Sequence, residues 1–242
     1  MSWKIEKCTV ADAAALASNN MPAFWEDPTW RIIWPDDIKL EFLVEQSIKR
    51  QPRNLLRSRE THRHQKAVDP VTGAIVGYAR WILPPSHVTA KDNLGPEWVE
   101  AQVPSVSEEQ TAHFEELANS AWWNTKSGMD DMDDKNYVVM NRIMTQKPYM
   151  KLDYLAVHPS NQGKGIATAL VASGIRRAEE IGLSIFIMAY KAGRGVYARL
   201  GCEEVDRVIQ DMSKYGGVGE YAAYFMVYDV PEKTGPEESG SK

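Results

Sequence analysis

The stretch "LDYLAVHPSNQGKGIATAL", residues 152–170, decides how this chain is read. An apolar run stops at Pro159, turns through Gly163 and Gly165, and resumes with the spacing of a helix. Glycine takes positive φ without steric cost and lets a ligand lie against the backbone. The first N–H groups of a helix have no partner inside it, and its dipole adds about half a positive charge there. A strand ending in such a turn therefore offers a cradle for phosphate oxygens. Gln162, Gly163, Lys164, Gly165, Ile166 and Ala167 supply the backbone of that cradle. Ile166, Leu170 and Ala178 hold the other side of the helix on a sheet.

Two nucleotide motifs fail on this turn. A P-loop needs GxxxxGK followed by Ser or Thr, and here Lys164 lies between the glycines. A dinucleotide fingerprint needs Gly or Ala at Thr168 and an acidic residue ending a strand about twenty residues on. Glu179 and Glu180 still fall within the helical pattern. A bare strand-to-helix connection leaves QGKG longer than packing requires.

The turn resembles instead the pyrophosphate-binding motif of the GNAT superfamily of acetyl-CoA-dependent N-acetyltransferases. That motif is Gln or Arg, two residues, Gly, one residue, then Gly or Ala, after a strand ending in V-x-P. Gln162, Gly163, Lys164, Gly165 and Ala167 occupy it, with Asn161 an equally good first position. Downstream, "MAYKAGRGVYARLGCEEVDR" looks like the second half of the cofactor site, with Tyr197 and Leu200-Gly201 in the places of Y-x-x-LG. The motifs cover 149–208; the order of elements alone extends the likeness to 3–83.

The resemblance implies that acetyl-CoA, as co-substrate, lays its pyrophosphate over the cradle. It also implies a strand kink near Leu155 that frees backbone groups, so that the segment Leu155, Ala156, Val157 holds the pantetheine. An N–H there lies near the thioester carbonyl and stabilises the oxyanion. Tyr197 then serves the departing thiolate. The catalytic set is Tyr197, Asp153 and Leu155, and no metal is expected. Asp153 is one candidate base, placed by strand alternation on the side of Leu155 and Val157; Glu26 and Asp27 are others. The activity implied is acetyl transfer to a primary amine of a small molecule, by direct attack in a ternary complex. Acetylation of protein N-termini or lysines and a non-catalytic CoA-binding module are the alternatives.

Around this centre the pattern is α/β: a single GNAT-like domain over 1–230 with a mixed central sheet flanked by helices. Strands are expected at 3–8, 65–69, 74–83, 149–157, 183–189, 202–211 and 221–229, and helices after Thr9 and at 36–49, 165–181 and 193–200. "MPAFWEDPTWRIIWPDD" reads as a structured loop or short helical turns. Residues 84–148 read as a helical insert before the cofactor-binding strand, and its Trp98, Trp122 and Trp123 are expected on the acceptor side. The polar tail 231–242 is expected to be disordered. Cys202 reads as a small buried residue, "DDMDD" (130–134) as a solvated loop, and the basic run 50–64 as a solvated helix end and strand entry.

The net charge of −5 gives no overall nucleic-acid footprint, and no apolar run reaches the length of a membrane span. Two cysteines make no disulfide framework, which suits the cytoplasm. A monomer or homodimer is expected.

Overall fold

The computed structural model describes residues 2–91 and 94–231. The tail expectation therefore lies outside the described residues, apart from Pro231. Seven strands form one sheet in the order β1-β2-β3-β4-β5-β7-β6. They are β1 (Lys4–Lys7), β2 (His62–Val68), β3 (Ile75–Ile82), β4 (Met150–Val157), β5 (Ile185–Ala189), β6 (Glu203–Asp211) and β7 (Glu220–Tyr228). Among the described residues only the β4–β5 pair is parallel. The helices are α1 (Ala13–Trp25), α2 (Pro28–Arg31), α3 (Leu40–Leu56), α4 (Glu108–Asn119), α5 (Asp134–Met144), α6 (Ile166–Ile181) and α7 (Lys191–Arg199).

Each face of the sheet has its own cover. On the back, α6 sets Ile166, Leu170, Val171 and Ile175 against Trp81, Leu152 and Ile187. Two glycines make that approach possible. A Cβ on Gly77 would stand 2.5 Å from Ile166, and one on Gly174 would stand 2.1 Å from the Trp81 ring. On the front, Leu16 of α1 and Leu55 of α3 cover Tyr78. The other half of the front is covered by α5, whose Ile143 packs with Phe186 and Phe225.

Several local expectations change. Thr9 does not cap α1 directly: its N–H bonds Asp12 at 2.7 Å and closes a single tight turn before the helix. Pro22 does not end α1, which runs through it to Trp25. The helix expected at 36–49 is α3, which starts at Leu40, runs to Leu56 and buries a stripe through Leu43, Ser47 and Leu55. Arg63 and His64, expected in a solvated basic run, are buried in β2, where the Arg63 guanidinium bonds the Glu97 carbonyl at 2.5 and 2.8 Å.

The insert joins two neighbouring antiparallel strands, β3 and β4, and wraps both faces of the sheet. Its Trp98 lies on the back, 6.0 Å from Trp81. Its α4 lies on α3. Trp122 and Trp123 then pack on Trp34 at 6.2 and 4.9 Å, and α5 completes the front. Among the described residues no helix is long and apolar enough to cross a membrane.

Candidate active site

The parallel pairing of β4 with β5 stops early. It comprises Met150 with Ile185, Lys151 with Phe186, and Leu152 with Ile187. Beyond Leu152 the strands part, so β4 from 153 to 157 has no ladder partner on that side. The resemblance put a kink near Leu155; the last paired residue is Leu152, and the parting begins at Asp153. A second irregularity lies on the opposite edge of β4. Arg80 faces Tyr154 and Trp81 faces Leu152, which leaves Asp153 as an unopposed bulge residue.

The bulge changes which way Asp153 points. Alternation from the sequence put it with Leu155 and Val157, but those two pack on the back cluster. Asp153 instead joins Lys151 and Arg80 on the front. Its Oδ2 accepts from Arg80 Nε at 2.8 Å and Nη2 at 2.5 Å, and its Oδ1 meets Lys151 Nζ at 2.9 Å. Burial pushes the carboxyl up, yet Arg80 and Lys151 outweigh it and hold Asp153 below the usual carboxylate range. It is therefore ionised at neutral pH and poor at keeping a proton.

The cradle closes the end of the fork. Gly163 and Gly165 have φ of 75° and 80°, the left-handed region glycine allows, and Gly165 opens α6 without a side-chain cap. A Cβ on either glycine would meet nothing within 4 Å, so the space above both is open. Two residues that the sequence did not single out hold the cradle and the strand before it. The Trp3 indole N–H donates to the Lys164 carbonyl at 2.9 Å. The buried Asn19 amide accepts from His158 N–H at 3.2 Å and donates to the Ala156 carbonyl at 3.3 Å. Their partners lie more than a hundred residues away, and no local pattern marks them.

Helix α7 follows β5 directly, so Tyr197 rides on the branch of the fork opposite β4. It is 6% exposed. A Cβ on Gly193 would lie 2.9 Å from its ring and 3.1 Å from its hydroxyl, so Gly193 is the opening that admits the phenol. Burial, then the neighbouring Cys202, pushes the phenol well above its ordinary value, so it stays protonated. Cys202 is itself buried, and burial pushes its thiol up to about 11. A neutral thiol is no nucleophile at physiological pH.

The front wall combines aromatic rings and acidic groups. Phe24 lies 4.8 Å from Tyr154 with the rings tilted, and Tyr190, just after β5, lies 5.1 Å from Tyr221 of β7. Asp27 caps α2, accepting from Thr29 N–H at 2.8 Å, while Glu26 is exposed. In the "DDMDD" loop Asp131 pairs with Lys214, and Asp133 precedes α5. Among the described residues no three His, Cys, Asp or Glu side chains are grouped to hold a metal.

The chain that carries this forked sheet and glycine cradle is an acyl-CoA-dependent transferase by the family whose profile it matches. The chain belongs to the acetyltransferase (GNAT) family, whose profile matches residues 24–202. Among solved structures, one from Corynebacterium glutamicum described as histone acetyltransferase HPA2 and related acetyltransferase aligns at TM-score 0.57. It is 18% identical, with 97% of this chain and 100% of that one covered. Arylalkylamine N-acetyltransferase 2 from Aedes aegypti aligns at TM-score 0.54 and 12% identity, over 96% and 100% of the two chains. At these identities the likeness establishes the fold. No curated protein matches the chain.

Proposed function

We propose that this protein is a cytoplasmic enzyme that moves an acetyl group from acetyl-CoA to a primary amine of a small molecule, by direct attack in a ternary complex. The observation that carries this reading is the alignment along one strand of fork and cradle: β4 loses its β5 partner after Leu152 and runs into the glycine turn that opens α6. Residues 162–167 then bind the pyrophosphate. Leu155 and Val157, flanking Ala156, bond the pantetheine through their backbone, and an N–H at Leu155 receives the oxyanion. The amine nitrogen attacks the thioester carbon, the C–S bond breaks, and CoA leaves as thiolate.

The Tyr197 hydroxyl donates a hydrogen bond to that thiolate. A phenol of ordinary value near 10 already gives its proton to the thiolate of a thiol near 8.5 only at a cost of about 2 kcal/mol, and burial of Tyr197 raises the cost. The interaction is thus a hydrogen bond rather than full transfer. Asp153 acts by fixing Arg80 and Lys151 at the fork, and water carries the amine's proton away. The insert supports a small acceptor over a peptide, because α5 and the Trp122–Trp123 corner cover the front. The test is acetyl-CoA-dependent thiol release across amines, amino acids, polyamines and peptides. Release with small amines is expected; release with peptides alone would contradict the acceptor assignment.

A further inference from the structure

A run of aromatic rings begins on the unpaired part of β4 and leads away from the fork. Tyr154 lies two residues beyond Leu152, the last residue of β4 paired with β5, and Phe24 at the end of α1 meets it at 4.8 Å. Trp30 of α2 lies 5.9 Å from Phe24, and Trp34 lies 5.3 Å from Trp30. Trp34 is fully buried and anchors the run, with Trp123 of the insert 4.9 Å away. Phe24, Trp30 and Tyr154 are only half-buried. Hydrogen bonds fix the corner that presents these rings. Asp27 accepts from the N–H groups of Thr29 at 2.8 Å and Trp30 at 3.4 Å, and Arg31 donates to the carbonyls of Trp34 and Asp36 at 3.4 and 3.3 Å. The Lys126 N–H of the insert donates to the Ile33 carbonyl at 2.8 Å. Rings held in this way lose little freedom when a ligand covers them.

Resting on the acetyltransferase reading above, we propose that the acceptor amine carries an aromatic ring, which lies on Phe24 and Trp30 while its nitrogen reaches the fork past Tyr154. That reading puts the thioester carbonyl at the Leu155 N–H. A molecule attacking there passes the neighbouring Tyr154, and the next surface it meets along the run is Phe24. A ring seated there takes the half-buried faces out of water, and tilted or edge contacts between rings add to the gain. A short alkylamine leaves the same faces wet. A second ammonium is served less well, because guanidinium groups already sit on the rings around the seat. Arg80 lies 5.5 Å from the centre of Tyr154, Arg31 4.3 Å from that of Trp25, and Arg50 4.0 Å from that of Trp123. Their positive charge repels another cation and leaves a neutral ring unopposed.

The test compares 2-phenylethylamine with ethylamine, two primary amines that differ by the ring, in the wild type and in Trp30→Ala. The expected KM for 2-phenylethylamine is about tenfold or more below that for ethylamine, as burial of a phenyl ring gives. Trp30→Ala should remove most of that advantage, with the KM for acetyl-CoA unchanged. Phe24→Leu keeps an apolar side chain against Tyr154 and should reduce the advantage too; it decides the matter if Trp30→Ala melts below the assay temperature. Equal KM values for the two amines in the wild type, or an advantage that persists in the folded variants, would overturn the proposal. Calorimetric titration of 2-phenylethylamine into the protein saturated with CoA, which has no acetyl group to give, separates this result from the proposed function. Binding that weakens in the variants supports the seat even if no acetyl transfer is seen. No binding to the wild type, or binding that the variants retain in full, refutes it even if ethylamine is acetylated.

Discussion

Tyr197 shows how a residue can be legible in kind but not in setting. Its place in the Y-x-x-LG pattern was visible in the sequence; that Gly193 opens the space for its ring was not, because the contact depends on how α7 turns. Asp153 was legible only as a carboxylate. Its direction is set by a bulge that arises from pairing with β3, seventy residues earlier, and no local alternation can reveal it. A buried hydroxyl that meets the leaving thiolate acts mainly in the transition state. Tyr197→Phe is therefore expected to lower kcat by about 10- to 150-fold, the range for a hydrogen bond to a charged group, with little change in acetyl-CoA affinity. Steady-state kinetics together with a melting curve checks this. A rate within twofold of wild type would remove the hydroxyl from the mechanism.

Among the elements, the best-read part of the chain was the strand–turn–helix from β4 into α6. Its signals are local: left-handed glycines, a Pro and a 3.6-residue apolar period. The insert was the worst read. Its helices were expected, but its aromatic residues divide between the two faces, with Trp98 on the back and Trp122 and Trp123 at the front. Only the path of the chain decides that division. The stretch from Met21 was read as a loop or short helical turns; a proline removes one helical hydrogen bond, yet the packed α1 carries Pro22 and runs on to Trp25. The docking of α6 rests on Gly174, above the fully buried Trp81, whose indole donates to Gln65 at 3.1 Å while Gln65 donates to Ser173 at 2.9 Å. Gly174→Ala drives a methyl into that ring, and overpacking of this kind costs about 1–3 kcal/mol. A fall in Tm of about 2–12 °C is expected by calorimetry for a chain of this size. An unchanged Tm would mean that α6 shifts freely on the sheet.

At the scale of the whole molecule, acid sensitivity follows from a buried histidine. His64 Nδ1 meets Tyr78 Oη at 2.8 Å, its Nε2 has no hydrogen-bond partner among the described residues, and the charges of Arg80, His62, Arg63 and Asp153 act on it. Burial, joined by the nearby positive charges, lowers its value from 6.5 to about 3. The unfolded chain thus binds a proton near pH 6.5 that the folded chain refuses until about 3, so stability is lost as pH falls through that window. The loss amounts to about 5 kcal/mol at most. His64→Gln keeps a polar partner for Tyr78 and should flatten the fall in Tm between pH 6.5 and 4.5; identical pH profiles would clear His64 of the effect. The central claim, that a CoA pyrophosphate lies on the turn of residues 162–167, is tested most directly by calorimetric titration of acetyl-CoA into Gly165→Asp. Aspartate tolerates the left-handed backbone for about 1–2 kcal/mol, so the variant should fold, as its melting curve would show. Its charge and side chain enter the open space over the turn. The account predicts a Kd weakened on the order of 100-fold or more, as two like charges at contact require; a folded variant whose Kd stays within threefold of wild type would contradict it.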